Sequence, residues 1–506
     1  MVLKLKKETW ILLATILGSS MAFIDANVVN VALPRIQHDL AASADSVQWV
    51  VESYALFLGA LILVGGSLGD MYGRKRIFAI GIAGFALASI GCGLATSINQ
   101  LIVARSLQGI CGALLTPSSL AILRSAFDDQ QRGRAIGLWS GFTSITSALG
   151  PVIGGWLVQN AGWRWVFFIN IPLAAVVLLI LFWHVPEMRS EQRGRHLDIV
   201  GALLATLSLG ALVFGLIESG PLGLFNPLVL SCLFVGILMF GGFILQERRS
   251  PAPIMSLDLF RSSTFSGANL LTFFLYAALG GALYFLPFNL INVQGYSATE
   301  AGGALLPFTI LMFSLSRWSG GLSTRYGSRL PLVVGPLLVT IAYILFAIPG
   351  IGGSYWTTYF PAVIVLSLGM SITVPTLTTT VMGVADESNA GVASGVNNAV
   401  ARVASLMAIA VFGIFVLLAF SSALNSHLAA LHLTPELSRQ MAAQSTKLTG
   451  AQVPPGVDAA TAAALNRSIA ESFLAGFRLV MLIAAGCALV SALFALFMIP
   501  PRVQPS

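Results

Sequence analysis

The chain has 506 residues, of which 56% are hydrophobic and only 9% are charged, and its formal net charge is +7. A soluble protein of this length needs more charged residues to cover its surface. The composition therefore excludes a soluble protein. Apolar runs of about 20 residues recur, which is the length that a helix needs to cross a bilayer. The basic residues lie in short loops between these runs, which argues against a nucleic-acid-binding surface.

In chain order, the apolar runs predict fourteen membrane-spanning helices and thus an all-α integral membrane protein. Most Lys and Arg residues fall in the segments that are cytoplasmic when the N terminus is inside, so both termini are predicted to be cytoplasmic. The predicted spans are 10–33, 48–69, 77–96, 101–123, 134–158, 164–185, 197–217, 227–246, 265–291, 301–323, 330–349, 356–383, 391–420 and 473–498.

The two halves of the sequence carry copies of one motif. GSLGDMYGRKR occupies Gly66–Arg76, and a fainter copy, GGLSTRYGSRL, occupies Gly320–Leu330. Each half is therefore predicted to form a six-helix bundle, with spans seven and eight inserted between the bundles. The predicted divisions are 1–190 for the first bundle, 191–264 for two inserted linker helices, and 265–506 for the second bundle with an outer loop at 421–472.

Ionisable side chains inside spans are functional candidates, because each costs at least a few kcal/mol in hydrocarbon. Asp25 lies about 12 Å and Arg105 about 6 Å from the outer edge at 1.5 Å per residue, so the two can pair. Asp25 is predicted to carry the coupled proton, and Arg105 to tune it, because burial and a nearby guanidinium act on a carboxyl group in opposite directions. The alternative is a permanent bridge that only holds the fold.

Two further sites within the spans carry charge. Glu52 is predicted about 6 Å from the outer edge of span two, so it either takes part in coupling or reaches water as a rim residue. Arg402 lies about 16 Å into span thirteen, beside Asn397 and Asn398. This cluster is predicted to face a central cavity, and a polar packing network is the alternative.

The first copy of the repeated motif is predicted to be a cytoplasmic turn that acts as a conformational latch. It begins at Gly66, and Asp70 near the helix end can accept backbone or guanidinium donors. Gly73 permits a sharp turn. Arg74 and Lys75 follow it and stay in water near anionic lipid.

Five segments resemble the motifs of one family, the fourteen-helix drug:proton antiporter branch of the major facilitator superfamily. The resemblance covers nearly the whole chain, although Thr146 stands where the fifth-helix motif has a glycine. The segments are IDANVVNVALP (Ile24–Pro34), the turn Gly66–Arg76, LIVARSLQGICGA (Leu101–Ala113), Gly137–Gly155 ending in GPVIGG, and WRWVFFINIP (Trp163–Pro172).

The resemblance implies a secondary transporter of a prokaryotic plasma membrane that exports lipophilic, cationic compounds in exchange for protons by alternating access. It also implies that the fifth-helix motif seals the exchanger against leakage, with tight packing as the alternative; the motif residues are Gly137, Gly150, Pro151, Gly154 and Gly155. Other residues are predicted to line a cavity that binds flat cations by stacking and cation–π contacts. They are Met21, Asn30, Trp49, Tyr54, Phe273, Tyr276, Asn397, Asn398 and Arg402.

Other function classes have less support in the sequence. An ATP-driven pump or an enzyme is not predicted, because no phosphate-binding loop occurs and the five histidines are scattered. No cofactor and no metal site are expected. A proton-coupled exporter of an endogenous metabolite, lipid or peptide stays open, as does a non-transporting membrane sensor or structural protein. The expected partners are small lipophilic molecules, protons and the bilayer, and the protein is expected to be a monomer.

Overall fold

The computed structural model describes residues 7–127, 129–187, 198–250, 257–319, 322–384, 390–431 and 433–501. Helices make up nearly all of these ranges, and no β-strand occurs in them. The prediction of an all-helical fold is therefore confirmed.

The first bundle contains the first six predicted spans. α1, α3, α4 and α7 pack on one another, so polar side chains from these helices can meet inside the bundle. The helices are α1 Lys7–Asp39, α2 Ala44–Tyr72, α3 Arg74–Leu94, α4 Ile98–Ala126, α5 Asp129–Asn160, and α6 Trp165–Phe168 with α7 Asn170–His184, which together form the sixth span.

Two helices follow the first bundle and pack along each other, α8 Ile199–Leu222 and α9 Pro227–Arg249. The Ser208 hydroxyl donates to the Gly236 carbonyl at 2.8 Å and so joins them. Asp198 caps α8 by accepting the Gly201 N–H at 2.7 Å. Hydrogen bonds from Gly201, Ser250 and Gln246 lower the pKa of Asp198 against the opposing effect of burial.

The second bundle contains the last six predicted spans. Helix α17 contacts α10 and α19 within the bundle, and it also contacts α2 and the inserted helix α8. The helices are α10 Ser263–Phe288 with a π turn at Asn289–Val293, α11 Ala298–Gly303, α12 Leu306–Ser319, α13 Leu322–Tyr326, α14 Arg329–Ala347, α15 Tyr355–Thr358, α16 Phe360–Gly383, α17 Ala390–Ala430, α18 Pro435–Ala442 and α19 Ala459–Met498.

Eleven helices in the described part of the chain are long and apolar enough to cross a membrane. Helices α2, α5 and α12 lie over the other three predicted spans. The helix order thus agrees with fourteen spans, although length and apolar composition mark eleven of them.

The predicted outer loop is more helical than hydropathy suggests. α17 continues to Ala430, and α19 already begins at Ala459. Asp458 caps α19 by accepting the N–H groups of Ala460 and Thr461, and the bond from Thr461 lowers the pKa of Asp458. Helical ends that stand in water carry polar residues, so a search for apolar runs does not detect them.

Candidate functional site

A buried polar network lies inside the first bundle and is centred on Asp25. Its carboxylate accepts a bond from Arg105 Nη1 at 2.5 Å on one oxygen. The other oxygen accepts bonds from Gln108 Nε2 and Asn170 Nδ2, each at 2.9 Å. Both amides also donate to the Ser89 hydroxyl, at 2.8 and 2.9 Å. Helices α1, α3, α4 and α7 therefore each contribute one or more side chains to a single network.

The Arg105 side chain is held on several sides. Its Nε donates to the Val50 carbonyl at 3.1 Å, and Nη1 also donates to Gln108 Oε1 at 2.6 Å. The guanidinium lies over the Tyr54 ring, 4.1 Å from its centroid. Arg105 and Asp25 are 1% and 0% exposed. A buried ion pair is stable only when its remaining donors and acceptors are satisfied, and here most of them are.

The pairing of Asp25 with Arg105 was predicted from the sequence, but three of the network residues were not. Ser89 and Asn170 are neutral, so a search for ionisable residues in spans does not find them. Gln108 lies in the quoted segment LIVARSLQGICGA, three residues after Arg105, which is one turn along the same helix. This spacing could have predicted that the Gln108 side chain lies beside Arg105.

Glu52 is a fully buried carboxyl group, at 0% exposure, and neither of its oxygens has a hydrogen-bond partner among the described residues. Helix α2 begins at Ala44, so Glu52 lies about 12 Å from the helix start and not at the rim. Tyr284 of α10 lies close enough to Glu52 to interact with it electrostatically. An unpaired carboxylate is very costly in such a place, so Glu52 is expected to be protonated in this conformation.

Several residues predicted to line a substrate cavity lie together in the second bundle. Tyr276, Asn397 and Asn398 line a cavity of about 110 Å³ between α10, α16 and α17. Asn397 Nδ2 donates to Thr272 Oγ1 at 2.6 Å. Arg402 follows one turn after Asn398, and its side chain is exposed although it lies deep in the protein. It interacts electrostatically with Tyr54 of the first bundle.

The structure places the other predicted cavity residues elsewhere. Met21 is fully buried in the core of the first bundle. Trp49 packs on the inserted helix α8, with its ring 5.9 Å from that of Phe214. Asn30 is half-buried, and its Oδ1 has no hydrogen-bond partner within the described ranges. Phe273 is half-buried beside the second-bundle core, one turn before Tyr276.

The charged turn connects α2 to α3 at Gly73, which has a φ of 108°. Glu187, just after α7, accepts the Lys75 N–H at 3.2 Å. Arg74 Nη1 donates to the Ala121 carbonyl of α4 at 3.2 Å and to the Ser125 hydroxyl. The turn therefore ties α3 to α4 and to the segment after α7. Glu187 is a partner that the sequence analysis did not identify.

Parts of the predicted latch lie outside the described residues. The Asp70 side chain is among them, and so are Gly320, Gly321 and the Thr324 side chain of the second copy. Gly66 is described and lies near the Pro117 ring of α4. The latch role of these residues stays a prediction.

Replacement of Gly73 should destabilise the protein through two separable effects. Gly73→Ala forces an alanine into a backbone conformation that favours glycine, which costs about 1–3 kcal/mol. The new Cβ would also collide with the Glu187 carboxylate. Gly162→Ala is a matched control, because Gly162 has a φ of 95° but no described neighbour within contact distance. Thermal unfolding in detergent should show a larger loss for Gly73→Ala; equal losses would mean that Glu187 has no part in the turn.

The fifth-helix motif lies between two neighbours of α5. Gly150 and Gly154 face Asn27 and Val28 of α1 within the first bundle. Gly155 instead contacts the backbone of Ala298 in α11, which belongs to the second bundle. Gly137 lies outside the described side chains.

The two bundles meet at the ends that the predicted topology places outside, called here the outer ends. A Cβ on Gly155 would overlap the Ala298 carbonyl, and one on Gly302 would overlap the Pro151 carbonyl. Close by, Thr299 Oγ1 donates to Gln159 Oε1 at 2.6 Å. These contacts hold α5 against α11, so the outer ends are closed in this conformation.

The segment between α18 and α19 also crosses the bundles at the outer ends. The Gln37 amide of α1 donates to the Lys447 carbonyl at 2.8 Å. Asn292, beyond α10, donates to Thr449 Oγ1 at 2.8 Å. The outer segment is therefore bonded to both bundles.

The chain resembles known resistance and export proteins along most of its length. It is 35% identical over 493 residues to the "Tetracenomycin C resistance and export protein" of Streptomyces glaucescens, which covers 96% of this chain and 90% of the relative. It is also 35% identical over 423 residues to the "Multidrug resistance protein Stp" of Mycobacterium tuberculosis (strain CDC 1551 / Oshkosh), covering 82% of this chain and 77% of the relative.

A solved structure and a family profile match as well. The structure is a bacterial homologue of the human lysosomal transporter Spinster, in an inward-facing and unoccupied conformation. It superposes with a TM-score of 0.71 over 99% of each chain at 18% identity, which shows a shared fold. The profile of the Major Facilitator Superfamily matches residues 15–409. The chain therefore belongs to the Major Facilitator Superfamily and is a multi-pass membrane transporter, not an enzyme.

Proposed function

We propose that the protein exports small lipophilic compounds in exchange for protons by alternating access. The observation that carries the proposal is the pair of buried carboxyl groups in opposite conditions: Asp25 accepts three hydrogen bonds, whereas Glu52 accepts none from the part of the chain that the structure describes. The names of the relatives, which describe resistance and export, support the choice of drug-like substrates.

The two carboxyl groups support coupling to protons through their surroundings. Three donors stabilise Asp25 as a carboxylate in this conformation. When α1 moves relative to α4, the distance between Asp25 and Arg105 changes. A buried carboxylate without its guanidinium partner is costly, so Asp25 must then bind a proton. Glu52 has no such partner among the described residues and stays protonated until it meets water. A change of conformation can therefore load one group or unload the other.

The contacts between the bundles support alternating access. The outer ends meet through backbone contacts of α5 and α11, whereas Arg402 and Asn398 of α17 are exposed, and Asn398 lines the cavity between α10, α16 and α17. Export requires the outer ends to separate and the inner ends to meet. The glycine motif of α5 permits a tight outer seal, and the turn at Gly73 holds three helices of the first bundle together as that bundle moves.

The finer details of the sequence analysis remain part of this proposal. We place the protein in a prokaryotic plasma membrane as a monomer with both termini cytoplasmic, and we keep the divisions 1–190, 191–264 and 265–506. A cationic substrate has less support, because the exposed charge deep between the bundles, Arg402, is itself positive. Export of an endogenous metabolite, lipid or peptide uses the same machinery and is a second candidate.

Everted membrane vesicles test the proposal, with tetracenomycin C as one compound. In such vesicles export is uptake into the lumen. We expect an acid lumen to drive uptake, a protonophore to stop it, and added ATP to have no effect. The control is vesicles without the protein. Uptake that needs ATP and ignores the protonophore would refute proton coupling, and no uptake of any lipophilic compound would refute drug export.

A further inference from the structure

We infer that the cavity beside Arg402 binds an anionic aromatic compound, with the Arg402 guanidinium as its counter-charge. The inference rests on the proposed export function and names the charge class of the exported compound. It reverses the expectation of a cationic substrate that the family resemblance implies.

Among the described residues, Arg402 is a cation deep in the protein without a partner. Its side chain is exposed, and it makes no hydrogen bond or ion pair within the described part of the chain. A charge at this depth is expensive and is normally paired, so the missing partner is expected to arrive with a ligand. Arg105, the other deep arginine, shows the contrast, because it is paired with Asp25.

The surroundings of Arg402 contain no described acid that could serve a cation. Asp25 is already bonded to Arg105, and Glu52 is fully buried. Of the described residues from 263 to 431, Glu300 is the sole acid, and it lies in the short helix α11 at the outer ends. A cationic ligand would meet the charge of Arg402 without compensation, whereas an anionic ligand would neutralise it.

The cavity next to Arg402 has a lining whose chemistry suits the aromatic part of such a compound. It is lined by Tyr276 from α10, by aliphatic and threonine side chains of α16, and by Asn397 and Asn398 from α17. The Tyr276 hydroxyl has no hydrogen-bond partner within the described residues, so it can donate to the ligand. Phe273 lies one turn away on the same helix and can extend the aromatic surface.

The guanidinium selects the acidic group of such a ligand. Its planar fork can donate two parallel bonds to a carboxylate, which an ammonium group cannot match. A flat ring system attached to that carboxylate would stack on the aromatic side chains. The predicted ligand class is therefore a flat aromatic compound that carries a carboxylate or phenolate.

Two dyes that share a xanthene ring system but differ in charge test this inference: fluorescein is anionic and rhodamine 123 is cationic. Fluorescence anisotropy with the full-length protein in detergent measures the binding of each. The parent protein should bind fluorescein at least about tenfold more tightly than rhodamine 123. This preference needs no variant, so it decides the question even if a variant fails to fold.

Variants assign the preference to Arg402. Arg402→Gln should weaken fluorescein binding at least about tenfold, whereas rhodamine 123 should bind at least as tightly as it does to the parent because a repelling charge is removed. Arg402→Lys should lose less fluorescein affinity. Arg478→Gln is the matched control, because Arg478 also lies in a span but donates to the Ile348 and Pro349 carbonyls near the outer ends. It should leave both dyes unchanged.

Three results would overturn the inference: no fluorescein binding by the parent, tighter binding of rhodamine 123, or equal effects of Arg402→Gln on both dyes. None of these three binding results depends on proton-driven uptake in vesicles. A failure of the charge class is therefore distinguishable from a failure of the proposed function.

Discussion

Asp25→Asn should abolish export driven by a pH gradient and destabilise the first bundle. The amide cannot release a proton, so the exchange of substrate for protons stops. The change also leaves the Arg105 guanidinium buried without its carboxylate, and breaking a buried pair in this way costs about 3–5 kcal/mol. The measurements are uptake into everted vesicles and the free energy of unfolding in detergent.

Two controls separate the loss of the proton from the loss of the fold. Exchange of labelled for unlabelled substrate across the membrane needs no net proton movement, so Asp25→Asn should retain part of it. The double variant Asp25→Asn/Arg105→Gln removes both charges and should recover much of the stability, although it stays inactive in coupled export. If Asp25→Asn keeps full pH-driven export while Glu52→Gln loses it, Glu52 alone carries the proton.

Gly155→Val should trap the transporter with its outer ends open. The added side chain would overlap the Ala298 carbonyl, so α5 and α11 could not meet. Overpacking costs about 1–3 kcal/mol, which shifts a two-state population by about 5- to 150-fold. The contact belongs to the closed outer ends, so the open form should still fold. Export should fall steeply because the cycle cannot return to the conformation described here.

The accessibility of a single cysteine reports this shift. Asn30→Cys, in a background without the native cysteines, lies on α1 between Asp25 and the outer end of that helix. An impermeant maleimide on intact cells should label it faster when Gly155→Val is present. Gly303→Val is the matched control, because Gly303 lies next to Gly302 on α11 but has no neighbour within contact distance in the described part of the chain. Equal labelling of both variants would show that the contact between α5 and α11 does not control the outer ends.

The helical fold could be predicted from sequence because each span must satisfy its backbone within lipid, which leaves long apolar runs as a signal. The pairing of Asp25 with Arg105 followed from similar depth in two spans. The depth of Glu52 did not follow, since the start of α2 at Ala44 lies in a polar stretch that hydropathy assigns to a loop. Its lack of partners depends on which helices surround it, and one sequence does not contain that information.

The same reason explains why the sequence does not show where each predicted cavity residue lies. Trp49 and Tyr54 are five residues apart on α2, yet Trp49 packs on α8 and Tyr54 lies on Arg105. The face that each side chain presents is set by the positions of the inserted helices and the second bundle. Gln108 and Asn170 were missed because neutral amides in a span also serve ordinary helix packing, so their residue type alone does not single them out.

The movement of protons against substrate tests the central claim most directly. Purified protein is placed in liposomes that contain a pH-sensitive dye, with equal pH on both sides, and a transported compound is added outside. Antiport predicts that the compound enters while protons leave, so the lumen becomes more alkaline, and that empty liposomes and the Asp25→Asn variant show no such change. Entry of the compound without any change in lumenal pH, or with acidification, would contradict proton antiport.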